Sequence, residues 1–398
     1  MLLQGLKVVE FASYIAAPGA AGVLADWGAQ VIKVERPEGD PMRHVFGDAK
    51  SALAGNPTFA LDNRGKRAIT LDISKPEGRE ALARLAASAD VFLTNVRGPA
   101  LKRAGLDEAS LRAGNRRLIY AMVTGYGLDG PDSDKPGFDV TAFWARAGVA
   151  HMHAPKGADP FILRSGVGDH VTSLATVSAI LAALYERERT GEGRLVQTSL
   201  LATGVYTVGS DLAVQLAFGR LASNKPRSAP FDPLANFYKS RDGHWFVLNP
   251  RGSSNDWQVL CAACDRPDLL EDERFRSGRL RKDNSPLLVA EFDRAFGALD
   301  FAEIARRLDD ADLVWAPVQS PAGVAADPQV AASGALVDVE DGAGGTYRSP
   351  ASPARFPGAD TSVLPPPPRQ GQDTRHVLKE LGYSPDQVEA MFAAGAAA

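Results

Sequence analysis

The sequence predicts an α/β fold built on a mostly parallel, Rossmann-like sheet. Three observations carry this. Short β-branched runs alternate with helical patterns from the first residues to about residue 125, the order expected of βαβ units. The chain has 398 residues and is 45% apolar, enough for two or three domains with cores of their own. It carries only 2 cysteines, so burial rather than disulfide bonding must hold it together.

Lys7-Val8-Val9-Glu10-Phe11 reads as the first strand, Pro18 to Trp27 as a helix, and Gln30 to Glu35 as the next strand. Ala68 to Ile73 is a further strand. Ser74-Lys75-Pro76-Glu77 has the spacing of a capping box, opening a helix whose apolar face is Leu82, Leu85, Ala86 and Ala89. Asp90 to Val96 and Leu118 to Thr124 return as strands. Gly166-Val167-Gly168-Asp169 precedes a long helical pattern carrying Leu174, Val177, Leu181 and Leu184, which stops at the basic and glycine residues of 187–193. Leu195 to Leu200 is one more strand.

Residues 201–225 read as a linker helix ending at Asn224-Lys225-Pro226-Arg227-Ser228-Ala229-Pro230. A second domain opens there with a hairpin, Phe237 to Lys239 and Trp245 to Leu248, around the turn residues Asp242-Gly243. Helical patterns follow to about residue 310, and Asp327-Pro328 closes the unit. Prolines 365–368 form an extended connection to two terminal helices, Thr374 to Leu381 and Ser384 to Phe392.

Lys and Arg number 44 against 48 Asp and Glu, a net charge of −4, which supplies no broad positive field for nucleic acid. No uninterrupted apolar run reaches the roughly 18 residues of a membrane span, and the start lacks a cationic region followed by an apolar one. The expectation is a cytoplasmic protein with neither nucleic acid nor membrane as partner. Cys261-Ala262-Ala263-Cys264 invites a redox or zinc reading, but no second pair follows and the surrounding pattern is an amphipathic helix, so buried, inert thiols are expected. His151-Met152-His153 has no acidic or thiol neighbour at ligand spacing and reads as a loop pair, so no metal site is expected.

The chemistry must lie elsewhere, because G-x-G-x-x-G after the first strand, the Walker lysine motif and the G-x-S-x-G elbow are all missing. Asp169 follows two glycines and stands at a helix start. It reads either as an N-cap or as a nucleophile that the helix amides and dipole keep ionised without a partner histidine. A second set is basic: Arg36 after one strand, Arg64 and Arg67 around Gly65-Lys66, and Asn95, Arg97, Lys102 and Arg103 after another. In an open α/β sheet, residues just beyond strand ends share one rim, where a polyanion fits; taken singly each is also an ordinary solvated surface group.

The chain resembles the class III CoA-transferases, the family of formyl-CoA and carnitine CoA-transferases that includes α-methylacyl-CoA racemases. The resemblance runs through Val8-Val9-Glu10-Phe11 to Pro18, Leu24 to Glu35, Asn63-Arg64-Gly65-Lys66-Arg67 with Leu71-Asp72, Asp90 to Asn95, Gly125-Tyr126-Gly127 with Gly130-Pro131, and Gly168-Asp169 with its helix. It implies a large Rossmann-like domain from residues 1–200 and 330–398, a smaller α+β domain over 226–329, and an interlocked homodimer. It places the nucleophile on Asp169, a nearby acid on Asp139, and coenzyme A contacts on Arg36, Leu71, Asn95 and Arg103. Acyl-CoA donor and carboxylic acid acceptor would be substrates, with no tightly bound cofactor and no metal.

The departures are informative. The family's racemases carry a histidine before the aspartate matching Asp139, where this chain has Phe138; a two-base α-proton shuttle needs an acceptor on each face, so transferase is expected over epimerase. Ser13 and Ile15 replace the His and Gln of formyl-CoA transferase, and Arg251-Gly252-Ser253-Ser254 replaces its glycine-rich loop, which argues against formate. Pro136 to Arg146 is similar to members acting on 2-hydroxy or aryl acids, and Phe138, Phe143 and Trp144 either line an acyl pocket or pack the core. A catalytically silent CoA-binding protein is the third reading; its mark, loss of Asp169, is absent.

Overall fold

Val8 and Val9 point to opposite faces of β1 (Lys7–Phe11), and both are buried, which is what a central strand of a parallel sheet requires. In the computed structural model, which describes residues 1–45, 56–250, 255–358 and 363–398, β1 sits inside a six-stranded sheet. The other strands are β2 (Gln30–Glu35), β3 (Arg67–Thr70), β4 (Val91–Thr94), β5 (Ile119–Thr124) and β6 (Leu195–Ser199). Every pairing is parallel and the order is β3-β2-β1-β4-β5-β6, that of a doubly wound sheet.

The α-helices between Ala16 and Phe218 are α1 (Ala16–Asp26), α2 (Pro57–Asn63), α3 (Pro76–Ala87), α4 (Gly98–Ala104), α5 (Glu108–Gly114), α6 (Val149–His153), α7 (Val167–Thr190), α8 (Leu200–Thr207) and α9 (Gly209–Phe218), with a π-helical segment Asp139–Arg146 between α5 and α6. Val8, Val31, Leu93 and Ala121 face α1 and α7 through Ala20, Leu24, Val177 and Ile180. On the other face Val9, Phe92 and Tyr120 meet Leu82 and Leu85 of α3, together with Val377, Leu378, Val388 and Met391 from the end of the chain. The C-terminus is tied to the sheet edge, where Leu71 pairs with Ala397 and Thr70 N donates to Thr374 Oγ1 at 3.0 Å.

The chain divides into two compact units, residues 1–151, 161–220 and 331–398 in one and residues 152–160 and 221–330 in the other. The smaller unit holds an antiparallel sheet of Phe237–Lys239, Trp245–Leu248 and Trp315–Pro317. Its core packs Tyr238, Phe246, Phe292 and Phe296 with Cys261 and Cys264. Both thiols are free, and burial pushes Cys261 up to about 12 and Cys264 upward as well.

Several local expectations change. Ser74 does not cap α3: its hydroxyl and amide both donate to Asp72 Oδ1, and Lys75 occupies the cap position before Pro76. The expected linker helix over 201–225 is two helices, α8 and α9, bent by 76° and grouped with the larger unit up to residue 220. Leu336–Glu340, Thr346–Pro350 and Val363–Leu364 form a three-stranded sheet that alternation of apolar residues does not announce, because few of their residues are buried. His151 and His153 lie in α6 and not in a loop. α7 is long and apolar enough to cross a membrane by length and composition, although Val177, Ile180 and Ala183 are buried in the core shared with α1 and the sheet.

Candidate active site

The start of α7 is built around two glycines and an aspartate from elsewhere. Gly166 precedes the helix at φ 97°, a left-handed conformation that glycine adopts without strain. A Cβ on Gly168 would run into the Phe143 ring and the Asp139 carboxylate, so only glycine permits this approach. Asp139 accepts from Gly166 N at 2.9 Å and from Gly168 N at 3.2 Å, and it is buried. Asp139, not Asp169, therefore satisfies the free amides at this helix end.

Asp169 lies in the first turn of α7, three residues beyond the Gly166 cap position. Its carboxylate has no hydrogen-bond or ion-pair partner among the described residues. The expectation that helix amides alone keep it ionised is corrected, since those amides are spent on Asp139. Burial, and then the Asp139 charge, push the Asp169 carboxyl up to about 7, with His170 opposing. Asp139 is itself raised, by burial, against the pull of its amide donors.

His170 was not anticipated. Its Nε2 lies 3.1 Å from Oδ1 of Asp62, a buried carboxylate at the end of α2. Asp62 raises the His170 imidazole above its ordinary value. Ser173 Oγ, one turn further along α7, donates to Ala16 O at 2.7 Å. Because α1 follows β1, this bond sets the start of α7 beside the carboxyl ends of the strands.

Arg36, Leu71 and Asn95 follow strand ends of that rim, and Arg103 lies further on, in α4. Arg36, after β2, is exposed, with its guanidinium carbon 5.9 Å from the centre of the Phe11 ring. Asn95, after β4, accepts from Ser13 N at 3.1 Å and donates to Ser13 O at 2.7 Å, pinning the loop between β1 and α1. Arg103, near the end of α4, is exposed, as are Arg97 and Lys102. Leu71, after β3, is fully enclosed in the core, so a ligand contact there falls to its main chain. Arg64 and Arg67 leave the set of open cations. Arg64 is buried and forks onto Asp26 at 3.0 and 2.7 Å, and Arg67 pairs with Glu380 at 2.9 Å.

The loop facing Asn95 carries strain. Tyr14 has φ 70°, uncommon for a residue with a bulky side chain, and its amide donates to Asp40 Oδ1 at 3.1 Å. Asp40 is held by Lys33 at 2.8 Å; Lys33 also binds Glu10 at 2.7 Å, and Glu10 binds Lys66 at 2.5 Å. All four are buried, a chain of alternating charge running from β1 and β2 to the strained loop. The Tyr14 ring meets Phe138 edge-on at 5.4 Å. Phe138 is 53% exposed, whereas Phe143 is buried against Gly168 and Trp144 is buried with its indole N–H on Phe161 O at 2.8 Å. Of the three aromatics, only Phe138 presents an open ring. Residues 251–254 lie outside the described residues.

The comparisons agree with this architecture. A sequence profile of CoA-transferase family III matches residues 3–374. The chain is 36% identical over 393 residues to (R)-2-hydroxy-4-methylpentanoate CoA-transferase of Clostridioides difficile, covering 98% of this chain and 97% of that one. It is 32% identical over 398 residues to cinnamoyl-CoA:phenyllactate CoA-transferase of Clostridium sporogenes, covering 98% and 95%. A crystal structure of a CAIB/BAIF family protein from Brucella suis superposes with a TM-score of 0.86 at 30% identity, over 95% of this chain and 99% of that one. The parallel sheet, the profile match and the near full-length relatives make one statement: this chain belongs to CoA-transferase family III.

Proposed function

We propose that this CoA-transferase moves coenzyme A between carboxylic acids with Asp169 as its nucleophile. The observation that carries the reading is the unspent Asp169 carboxylate, beside a helix start whose amides Asp139 already occupies. An Asp169 oxygen attacks the thioester carbonyl of the donor; the C–S bond breaks, CoA leaves as thiolate, and an acyl-aspartyl anhydride forms. The thiolate then attacks the aspartyl carbonyl, releasing the donor acid as carboxylate and leaving an aspartyl-CoA thioester. The acceptor carboxylate displaces the thiolate to give a second anhydride. Attack of the thiolate on the acceptor's carbonyl finally yields the new acyl-CoA and restores Asp169. Each step exchanges one acyl bond for another, and no net proton is consumed.

Asp139 serves as a positioning residue, fixing the turn that presents Asp169 and raising its affinity for a proton. Arg36, Asn95 and Arg103, with the main chain at Leu71, form the rim on which the anionic coenzyme lies. The open Phe138 ring with Tyr14 suits a branched or aryl acid, the class named for the two relatives above. An interlocked homodimer in the cytoplasm completes the reading. Exposed Tyr206 and Leu216 on α8 and α9, which line a cavity of about 660 Å³ with Leu128, Leu201 and Leu212, support a covering subunit.

Cinnamoyl-CoA with phenyllactate in deuterated water tests this directly. The expected result is phenyllactyl-CoA without deuterium at the α-carbon, and loss of transfer by at least about 10³-fold in Asp169→Asn. Label at the α-carbon would favour an epimerase instead.

A further inference from the structure

Asp169 shares its end of α7 with an ionisable base that the transfer steps leave unused. His170 reaches back through Nε2 to Asp62 Oδ1 at 3.1 Å, and its Nδ1 lies 3.7 Å from where a Cβ on Gly166 would stand. The ring thus spans from α2 to the glycine turn that holds Asp139. Asp62 is only 3% exposed, and its Oδ2 has no hydrogen-bond partner among the described residues. A buried carboxylate so poorly satisfied is costly unless a cation faces it, and His170 is the partner bonded to it.

We propose that His170, clamped by Asp62, is a positioning residue of the transfer reaction, its imidazolium supplying the positive charge set against the Asp139 and Asp169 carboxylates. This rests on Asp169 being the nucleophile. The charged groups facing His170 are Asp62 from α2, Asp139 from the π-helical segment and Asp169 from α7 itself, with Lys66 and Glu10 acting on Asp62 from behind. Three carboxylates from three elements converge on one imidazole. A positive charge there favours the ionised nucleophile, so its removal costs most where Asp169 is partly protonated and least where it is fully ionised. A merely structural histidine would instead cost the same factor at every pH.

His170→Gln keeps a group able to bond Asp62 but loses the charge, and His170→Lys keeps the charge. Transfer from cinnamoyl-CoA to phenyllactate is followed as kcat/KM from about pH 5.5 to about pH 9. The expected result is that Gln moves the midpoint of the acid limb upward by about one unit, a roughly tenfold loss below the midpoint with the alkaline plateau kept, and that Lys restores the midpoint. A Gln profile that superimposes on the unaltered enzyme, or a uniform loss in both variants, overturns the inference. Asp169→Asn in the same assay separates the two readings. If it stays active, the nucleophile assignment falls; if it is silent while the Gln midpoint stays put, only the role of His170 falls.

Discussion

At Asp169 burial and the Asp139 charge hold the carboxyl up to about 7, so the fraction able to attack a thioester changes steeply across neutral pH. kcat/KM is expected to rise with pH through a midpoint near 7, measured as a pH–rate profile. The same shift has a stability consequence. A carboxyl raised by folding favours the protonated native state, so its contribution is complete below the ordinary value of 3.8 and is lost as pH rises through about 7. Asp169→Asn removes that penalty. It is expected to stabilise the fold at about pH 8 by on the order of 1 kcal/mol, and by less at about pH 5, in denaturant unfolding. Position 169 stood out in the sequence because two glycines precede it. Its environment did not, because the amides it faces are claimed by a residue 27 to 29 positions earlier, and the Asp62–His170 bond joins residues 108 apart.

The elements show where pattern suffices. β1 and β2 have the bounds that their β-branched runs predict, and α7 ends at the Gly191 cap that its basic and glycine residues announce. These signals are local, set by strand alternation and by a left-handed cap. The start of α7 is not local. A capping residue lying next to its helix is legible in sequence, whereas Asp139 caps from the π-helical segment across a packed Phe143. Gly168→Ala tests that packing. The added methyl must displace the ring or the carboxylate, so a loss of about 1–3 kcal/mol in stability and most of the transfer activity is expected, measured by denaturant unfolding and by rate. The buried chain Lys66-Glu10-Lys33-Asp40 was equally hidden, since alternation places Glu10 and Lys33 inside strands without saying that they pair. Glu10→Ala leaves buried Lys66 without a carboxylate and Lys33 with Asp40 alone, and a loss of about 3–5 kcal/mol is expected in the same unfolding measurement.

Across the whole molecule the sheet order brings the ends of β2, β1 and β4 to one edge, and with them Arg36, the strained Tyr14 loop and Asn95. Rim position was legible from sequence for Arg36, which directly follows a predicted strand, and for Asn95, near the end of another. Which cations remain open was not, because Arg64 and Arg67 are taken by Asp26 and Glu380 from distant segments. On the proposed reading one carboxylate of this rim captures the acyl group covalently. The most direct measurement of that capture is intact-protein mass after mixing with cinnamoyl-CoA, followed by peptide mapping of the adduct. The expected result is an added mass carried by the peptide containing Asp169 and absent from Asp169→Asn. An adduct on another residue, or one of equal yield in the variant, rules out Asp169 as the capturing group.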